Sequence, residues 1–246
     1  MTFNIVTIFP EMFDVLKNFG VFSRALKSGI VNLNLINLRD FTDDKHSMTE
    51  DYPFGGGSGL VMKAKPFFDI YEDISKKERP FVIYPSPQGE LFNNEMAKDL
   101  AKKKNLLFLC GRYEGIDERV MEIVDMEASI GDFVLNGAEQ PAMIMIEAIG
   151  RFIYGIVGSQ ESVEKDSFNN DLLDYSHYTR PRELNGKKVP EYLLSGNHGV
   201  IEMERRKESL IRTMKRRPDL FMKRDLDKLD KEALLSIFKE IYKDAE

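Results

Sequence analysis

Three glycine-containing turns are the first places in this 246-residue sequence where a ligand could bind. Their sequences are YPSPQG at 84–89, CGRYEG at 110–115 and SIGDFVLNGAEQP at 129–141, and each follows or flanks an apolar run. Because open α/β sheets bind ligands outside the carboxyl ends of their strands, the three turns could converge on one pocket. Gly111 would let the backbone approach a ligand, and Tyr113 offers a flat apolar face with a hydroxyl group. Taken alone, each turn is more simply an ordinary connection between a strand and a helix.

A further glycine-rich run, FGGGSG at 54–59, fits neither a dinucleotide fingerprint nor a phosphate loop. It follows a polar, acidic stretch instead of a clear strand, and no Lys-Ser or Lys-Thr pair closes it. Two interpretations stay open. The run is either a flexible loop that closes over a substrate or a glycine-rich surface hairpin.

Arg151 and Asp166 are candidate catalytic residues, although each also has a simpler explanation. Arg151 lies four residues after Glu147 on a predicted apolar helix, so the two side chains can form an intrahelical ion pair. A guanidinium held near a pocket would instead stabilise negative charge on a substrate oxygen. Asp166 lies in a polar stretch, where a carboxylate usually caps a turn.

Basic residues recur near the C-terminus, along one predicted helix and just upstream of it. Such a cluster suits contacts with RNA phosphates, which set affinity without reading bases. Interleaved glutamates are equally typical of a solvated helix face, so both interpretations stay open. The basic residues are Arg180, Arg182, Arg205, Arg206, Arg212, Lys215, Arg216 and Arg217.

The content of cysteine and histidine excludes a disulfide framework and a dense zinc cluster. The chain has one Cys and three scattered His residues. Cys110 ends an apolar run and has no basic neighbour that would lower its pKa, so we interpret it as a small buried residue. This composition favours a reducing, cytoplasmic setting.

The elements that would position these residues form an α/β pattern. Short apolar runs predict strands, and the stretches between them predict helices, which together indicate a parallel sheet. An apolar helix, PAMIMIEAIGRFI, is predicted to begin at Pro141. The predicted strands are 3–9, 31–38, 81–84 and 106–110, and the other predicted helices are 10–17, 65–77, 93–104 and 117–124.

A domain boundary is predicted after Gly158, where the composition becomes polar and acidic. Beyond it, the stretches 200–217 and 230–242 carry apolar stripes of amphipathic helices, so we expect a small helical C-terminal domain. Residues 1–175 hold 18 Lys and Arg against 28 Asp and Glu, whereas residues 176–246 hold 17 against 13. This asymmetry suggests that the smaller, basic part binds an anionic partner.

The overall composition predicts a folded protein that does not span a membrane. Hydrophobic residues make up 42% and charged residues 31%, which excludes a disordered or fibrous chain. The formal net charge of −6 argues against coating nucleic acid by bulk charge, so any contact with nucleic acid must be local. No apolar run reaches the roughly 18 residues that a bilayer span requires.

Eight motifs taken together resemble the bacterial tRNA (guanine-N1)-methyltransferase family. The match runs over nearly the whole chain, in order and spacing. The motifs are FPEMF (9–13), FGGGSGLVMK (54–63), SPQG (86–89), LCGRYEGIDERV (109–120), SIGDFVLNGAEQPAM (129–143), DSF (166–168), HYTRP (177–181) and LLSGNHGVIE (193–202).

The resemblance implies an S-adenosylmethionine-dependent enzyme of the SPOUT class that acts on the guanine at position 37 of tRNA. It further implies a parallel sheet with a deep trefoil knot, a small all-helical C-terminal domain, and a homodimer with its active site between the subunits. The implied division is a methyltransferase domain at 1–158, a flexible linker at 159–172 and a tRNA-binding domain at 173–246. Magnesium is implied as well, without a ligand that the sequence identifies.

By position, the family's methyl-donor pocket falls on the three glycine-containing turns. One departure is visible, because the family commonly has two glycines where this chain has Gly137 and Ala138, and a methyl group there should narrow the pocket slightly. The implied pocket residues are Tyr84, Pro85, Ser86, Pro87, Gly111, Tyr113, Glu114, Ile130, Gly131, Asp132, Phe133, Val134, Leu135, Gly137, Ala138 and Pro141.

The resemblance gives Asp166 and Arg151 definite roles. Nitrogen 1 of guanine carries a proton at neutral pH, so its attack on a methyl group needs a general base. Asp166 matches the family's catalytic aspartate, and Arg151 matches the arginine that would stabilise charge on O6. We expect Asp166 to become ordered when tRNA binds and to come from the subunit opposite the pocket.

The remaining implied residues would contact tRNA. The glycine-rich loop would hold the target guanine, and the C-terminal domain would grip the anticodon stem. Alternatives are a SPOUT methyltransferase with another target nucleotide and a non-catalytic RNA-binding protein, with a Rossmann dehydrogenase more distant. The implied tRNA contacts are Gly55, Gly56, Gly57, His177, Arg180, Arg182, Asn197, His198, Arg205 and Arg212.

Overall fold

A computed structural model describes residues 1–43, 45–158, 163 and 166–243. The chain divides into two compact units, a first unit of residues 1–158 and a second unit of residues 159–246. Residues 159–162 and 164–165 of the predicted linker lie outside the described residues. No helix within the described ranges is long and apolar enough to cross a membrane.

The first unit is built on a five-stranded parallel sheet, which confirms the predicted α/β class. Its strands are β1 (Thr2–Thr7), β2 (Asn32–Asn37), β5 (Phe81–Leu91), β6 (Asn105–Leu109) and β7 (Met126–Ser129), and a separate antiparallel pair is formed by β3 (Glu50–Asp51) and β4 (Val61–Met62). The order in the sheet is β2-β1-β6-β5-β7, so β1 pairs with both β2 and β6. Parallel strands buried on both faces are rich in apolar residues, as β1 and β6 are.

Side chains of the sheet pack into two separate hydrophobic clusters. On β6, Leu106 and Phe108 belong to one cluster, whereas Leu107 and Leu109 belong to the other. Because successive side chains of a strand point to opposite faces, the clusters cover the two faces of the sheet. The helices are α1 (Asp14–Asn18), α2 (Gly20–Lys27), α3 (Ala64–Ser75), α4 (Asn94–Ala101) and α5 (Glu139–Gly150).

Two helix predictions differ from the structure. Residues 118–123 form a 3-10 helix capped by the Asp117 carboxylate, instead of the predicted α-helix. The apolar helix α5 begins at Glu139, two residues before the predicted start at Pro141, and ends at Gly150. Arg151 is therefore the residue that follows α5, and its main-chain N–H donates to the Glu147 carbonyl at 3.3 Å.

A close crossing of main chains fixes the turn at 85–90. Both Pro85 and Glu90 on β5 pair with Ala128 on β7, so the intervening residues form an irregularity in the strand. A Cβ atom placed on Gly89 would lie 2.3 Å from the main-chain nitrogen of Ala128. Only glycine can occupy this position without moving the neighbouring strand.

Among its described residues, the second unit has three α-helices around a small core of Leu172, Leu210 and Ala233. Pro218 opens a helix of its own, since proline suits a first helical position. A two-stranded antiparallel ladder is also present, which the prediction of an all-helical C-terminal part did not include. The elements are α6 (His198–Arg216), α7 (Pro218–Lys223), α8 (Lys228–Lys243), β8 (Glu183–Leu184) and β9 (Lys187–Lys188).

Candidate active site

The three predicted turns line one cavity of about 280 Å³ in the first unit. This volume is close to the lower end of small-molecule sites, which span roughly 300–1,000 Å³. Asp132 is exposed and is not among the lining residues. The other predicted pocket residues all line the cavity: Tyr84, Pro85, Ser86, Pro87, Gly111, Tyr113, Glu114, Ile130, Gly131, Phe133, Val134, Leu135, Gly137, Ala138 and Pro141. Lining residues that were not predicted are Gln88, Arg112, Gly115, Ala128, Ser129 and Asn136.

Main-chain contacts hold the turns together. The N–H of Ala138 donates to the carbonyl of Gly111 at 3.0 Å, and the N–H of Phe92 donates to the carbonyl of Ser129 at 2.8 Å. Each bond joins residues that are distant in sequence. Main-chain hydrogen bonds between these distant segments therefore help to position the walls of the cavity.

Two glycines of the cavity lie close against neighbouring side chains. A Cβ atom on Gly111 would lie 3.0 Å from the ring of Tyr84, and one on Gly137 would lie 2.5 Å from Nε of Arg112. Burial raises the pKa of the Tyr84 hydroxyl, so this ring stays neutral as it packs against Gly111. The predicted close approach of backbone at Gly111 is thus explained by an aromatic ring that fills the space behind the turn.

A buried ion pair stands behind the cavity wall, and sequence reasoning did not find it. The fully buried carboxylate of Glu139 accepts bonds from Nε of Arg112 at 3.1 Å and from the hydroxyl of Thr7 at 2.8 Å. Nη2 of Arg112 lies 3.0 Å from the same carboxylate, and its guanidinium stacks over Phe9. No local spacing signals the pair, because Arg112 and Thr7 come from other elements of the fold.

The glycine-rich run is the tip of a hairpin between β3 and β4, as one of the two interpretations predicted. Gly55, Gly56 and Gly57 have positive φ angles and open space around them. The base of the hairpin adjoins the cavity, because the N–H of Glu114 donates to the carbonyl of Leu60 at 3.0 Å. A ligand held at the base of this hairpin would therefore be next to the turn at 111–115.

Arg151 and Asp166 belong to different units. Arg151 is exposed at the end of α5 in the first unit. Asp166 lines a second cavity, of about 430 Å³, whose walls include Tyr175, His198 and Arg205 of the second unit. Arg205 stacks its guanidinium over the ring of Tyr175 at 4.4 Å.

The predicted tRNA contacts of the second unit are mostly on its surface. Asn197 caps α6 by accepting the N–H of Val200 at 3.3 Å. Arg212 differs from the others, because its guanidinium bonds to the carbonyl of Asp174 and the hydroxyl of Ser176 within the unit. The exposed residues are His177, Arg180, Arg182, Asn197 and His198.

The structure offers no support for the predicted magnesium. Among residues 1–43, 45–158, 163 and 166–243, no group of three or more His, Cys, Asp or Glu side chains is arranged to hold a metal ion.

Comparison with known proteins identifies close relatives over the full length of the chain. A family model described as tRNA (Guanine-1)-methyltransferase TrmD matches residues 1–223. Proteins named tRNA (guanine-N(1)-)-methyltransferase are similar as well: one from Thermosipho africanus is 57% identical over 245 residues, 99% of each chain. One from Fervidobacterium nodosum is 54% identical over 246 residues, 100% of each chain, and one from Thermotoga maritima is 52% identical over 242 residues, 98% of each chain.

Proposed function

Because this chain belongs to the tRNA (guanine-1)-methyltransferase family and is a tRNA guanine-N1 methyltransferase, we propose that S-adenosylmethionine is its methyl donor and that the guanine at position 37 is its target. The observation that carries the proposal is the convergence of three glycine-containing turns on one cavity. The same three turns carry the positions at which the family's pocket is expected.

The cavity of the first unit suits S-adenosylmethionine. Apolar side chains such as Pro85, Ile130 and Leu135 would pack against the adenine, and main-chain groups of the turns would bond to its polar edges. At Gly111 and Gly137 the main chain lies close against the side chains of Tyr84 and Arg112, and a Cβ would crowd both contacts. When bound, S-adenosylmethionine supplies an electrophilic methyl group on a sulfonium sulfur.

Asp166 and Arg151 would prepare the guanine for reaction. The carboxylate of Asp166 takes the proton from nitrogen 1, since the protonated nitrogen is a poor nucleophile. The guanidinium of Arg151 donates hydrogen bonds to O6, where negative charge develops as that proton leaves. The exposure of Arg151 after α5 leaves its side chain accessible to an RNA base.

We also propose that the protein works as a homodimer, with the Asp166 of each active site supplied by the partner subunit. Large apolar side chains remain exposed on the first unit, including Phe19, Ile144 and Tyr154. Ile144 projects from α5 and is exposed, whereas Ala142, Met145, Ile146 and Ile149 of the same helix are buried. Exposed apolar groups of this size mark a surface that a second copy would cover.

The proposed tRNA-binding domain, residues 173–246 within the second unit, would grip the anticodon stem. Its residues 176–246 carry 17 Lys and Arg against 13 Asp and Glu, and His177, Arg180, Arg182, Asn197 and His198 are exposed for contact. The glycine hairpin of the first unit would hold the splayed-out guanine. Position 37 lies in a loop, where such a base is accessible.

A deep trefoil knot and a cytoplasmic location complete the proposal. The close crossing of Gly89 over Ala128 supports the knot, because it brings the turn at 85–90 against the chain that leads into the last turn of the cavity. A tRNA substrate and a single buried thiol, Cys110, support the cytoplasm. Magnesium has no candidate site among the described residues.

Methyl transfer to unmodified tRNA tests the proposal. Wild-type protein with labelled S-adenosylmethionine should yield 1-methylguanosine at position 37. Asp166→Asn should bind S-adenosylmethionine normally and lose turnover at least 100-fold, as removal of a general base does. A labelled methyl group on another nucleotide would contradict the assignment of position 37 as the target. Full turnover by Asp166→Asn would contradict the assignment of Asp166 as the general base.

A further inference from the structure

The charges around the cavity of the first unit are few. Among the described residues that line it, the ionised side chains are those of Arg112 and Glu114. A third charge lies immediately behind, because Glu139 is fully buried with its carboxylate 3.0 Å from Nη2 of Arg112. The three groups together carry a net charge of −1.

Burial of Glu139 calls for an explanation beyond packing. Removing a carboxylate from water is costly even when it is paired, and apolar residues of similar size often stabilise a protein as well or better. This carboxylate is nevertheless held by three donors, Nε and Nη2 of Arg112 and the hydroxyl of Thr7. The negative charge of Glu139 compensates the positive charge of Arg112, which is the one guanidinium among the described residues of the cavity wall.

We propose that Glu139 acts as a positioning and specificity residue that makes the cavity prefer a cationic methyl donor over its neutral product. It aligns the guanidinium of Arg112 along the wall and neutralises its charge. The cavity thereby keeps a net charge of −1, that of Glu114. A sulfonium is attracted by this charge, whereas the neutral thioether left after transfer is not. The inference rests on the proposed methyl donor.

Glu139→Gln is the decisive variant, since it keeps the shape of the side chain and removes its charge. Binding of S-adenosylmethionine and of S-adenosylhomocysteine to the full-length protein is measured by calorimetry. The affinity for S-adenosylmethionine divided by that for S-adenosylhomocysteine should fall about tenfold in the variant. This is the size expected for one unit charge acting over roughly 10 Å at an effective dielectric near 20. A purely structural role would weaken both ligands equally and leave the ratio unchanged.

Thr7→Val is the matched control. It removes the hydroxyl that donates to Glu139 at 2.8 Å but leaves both charges in place, so the ratio of affinities should stay at the wild-type value. A ratio that falls in Thr7→Val as it does in Glu139→Gln would overturn the proposal.

A double variant is needed because Glu139→Gln leaves Arg112 without its charged partner, and this loss can strongly destabilise the fold. Arg112→Met with Glu139→Gln removes both charges and restores the net charge of −1 from Glu114, so the ratio should return to within about threefold of wild type. A ratio that stays low in the double variant would refute the charge argument. Absence of binding of either ligand to wild-type protein would instead refute the proposed methyl donor.

Discussion

The guanidinium of Arg212 donates to the carbonyl oxygen of Asp174 at 2.8 Å. A second bond, from Nη2 to the hydroxyl of Ser176 at 2.6 Å, and a bond from the N–H of Leu173 to the hydroxyl of Thr213 at 2.9 Å fasten the same segment to α6. This segment follows Asp166 in the chain. Arg212 thus acts within the second unit, as an anchor for the region that carries the proposed base.

Arg212→Ala should therefore impair turnover more than tRNA binding. Loss of charge-assisted bonds should lower the free energy of unfolding by about 2 kcal/mol, and release of the 173–176 segment should lower kcat at least tenfold. Steady-state kinetics and thermal denaturation measure the two effects. Lys215→Ala, an exposed change on the same helix, should alter neither. A raised KM for tRNA with unchanged kcat would instead assign Arg212 to RNA contact.

Gly137→Ala should damage the cavity of the first unit. The added Cβ would lie 2.5 Å from Nε of Arg112 and 2.6 Å from the Glu139 carboxylate, so the buried pair must shift. We expect at least a tenfold loss of affinity for S-adenosylmethionine. Ala138→Gly is the control, since it adds no atom to the wall, and its affinity should stay within about threefold. Equal affinities for the two variants would contradict this account.

Gly89→Ala should destabilise the whole first unit. The new Cβ would meet main-chain atoms of Glu127 and Ala128 at 2.3–2.6 Å, and the main chain of a strand paired with β5 cannot move as a side chain does. Chemical denaturation should show that the free energy of unfolding falls by about 3 kcal/mol. Glu90→Ala, an exposed neighbour on β5, should change the free energy of unfolding by less than about 0.5 kcal/mol. A stable Gly89→Ala variant would show that the crossing is looser than the structure has it.

The buried thiol of Cys110 should cause the free energy of unfolding to decrease at alkaline pH. Burial, with a smaller contribution from Glu139, raises the pKa of the Cys110 thiol well above its ordinary value of 9.0. The native state therefore retains a proton that the unfolded chain loses, so the free energy of unfolding decreases as pH rises above 9.0. Comparison with Cys110→Ala isolates this contribution, because the variant should show a shallower decline. Identical slopes would indicate that the thiol does not take part.

The same burial predicts that the thiol is chemically inert. Cys110 has no exposed surface, and the thiolate is the reactive form. Native protein at pH 8 should resist iodoacetamide, and the denatured chain should be alkylated within minutes. Mass spectrometry of the intact protein measures the difference.

Strands of the sheet were predictable because burial on both faces gives them continuous apolar runs, as in β1 and β6. β7 was missed because its four residues, Met126–Ser129, include Glu127 and give no such run. The helix α2 was missed as well, since its N-terminal residue Gly20 has no capping side chain before it.

The candidate site was predictable to the extent that general rules about sheets apply. Convergence of the turns follows from the parallel arrangement of the strands, and the structure confirms it. The pair of Arg112 and Glu139 could not be found, because ion pairs between distant segments leave no periodic signal. For the same reason, the sequence could not show that Arg212, which belongs to the basic cluster, forms hydrogen bonds to Asp174 and Ser176 within the second unit.

Main-chain contacts that hold the cavity walls have a consequence for inhibition. The bond from Ala138 to Gly111 and the tight approaches at Gly89 and Gly137 mean that a change of side chain at these positions also disturbs the fold. A compound that bonds to the backbone of these turns would leave the protein few substitutions that weaken the compound and preserve the enzyme. Resistance would then have to arise at the exposed residues of the rim, such as Val134 and Leu135.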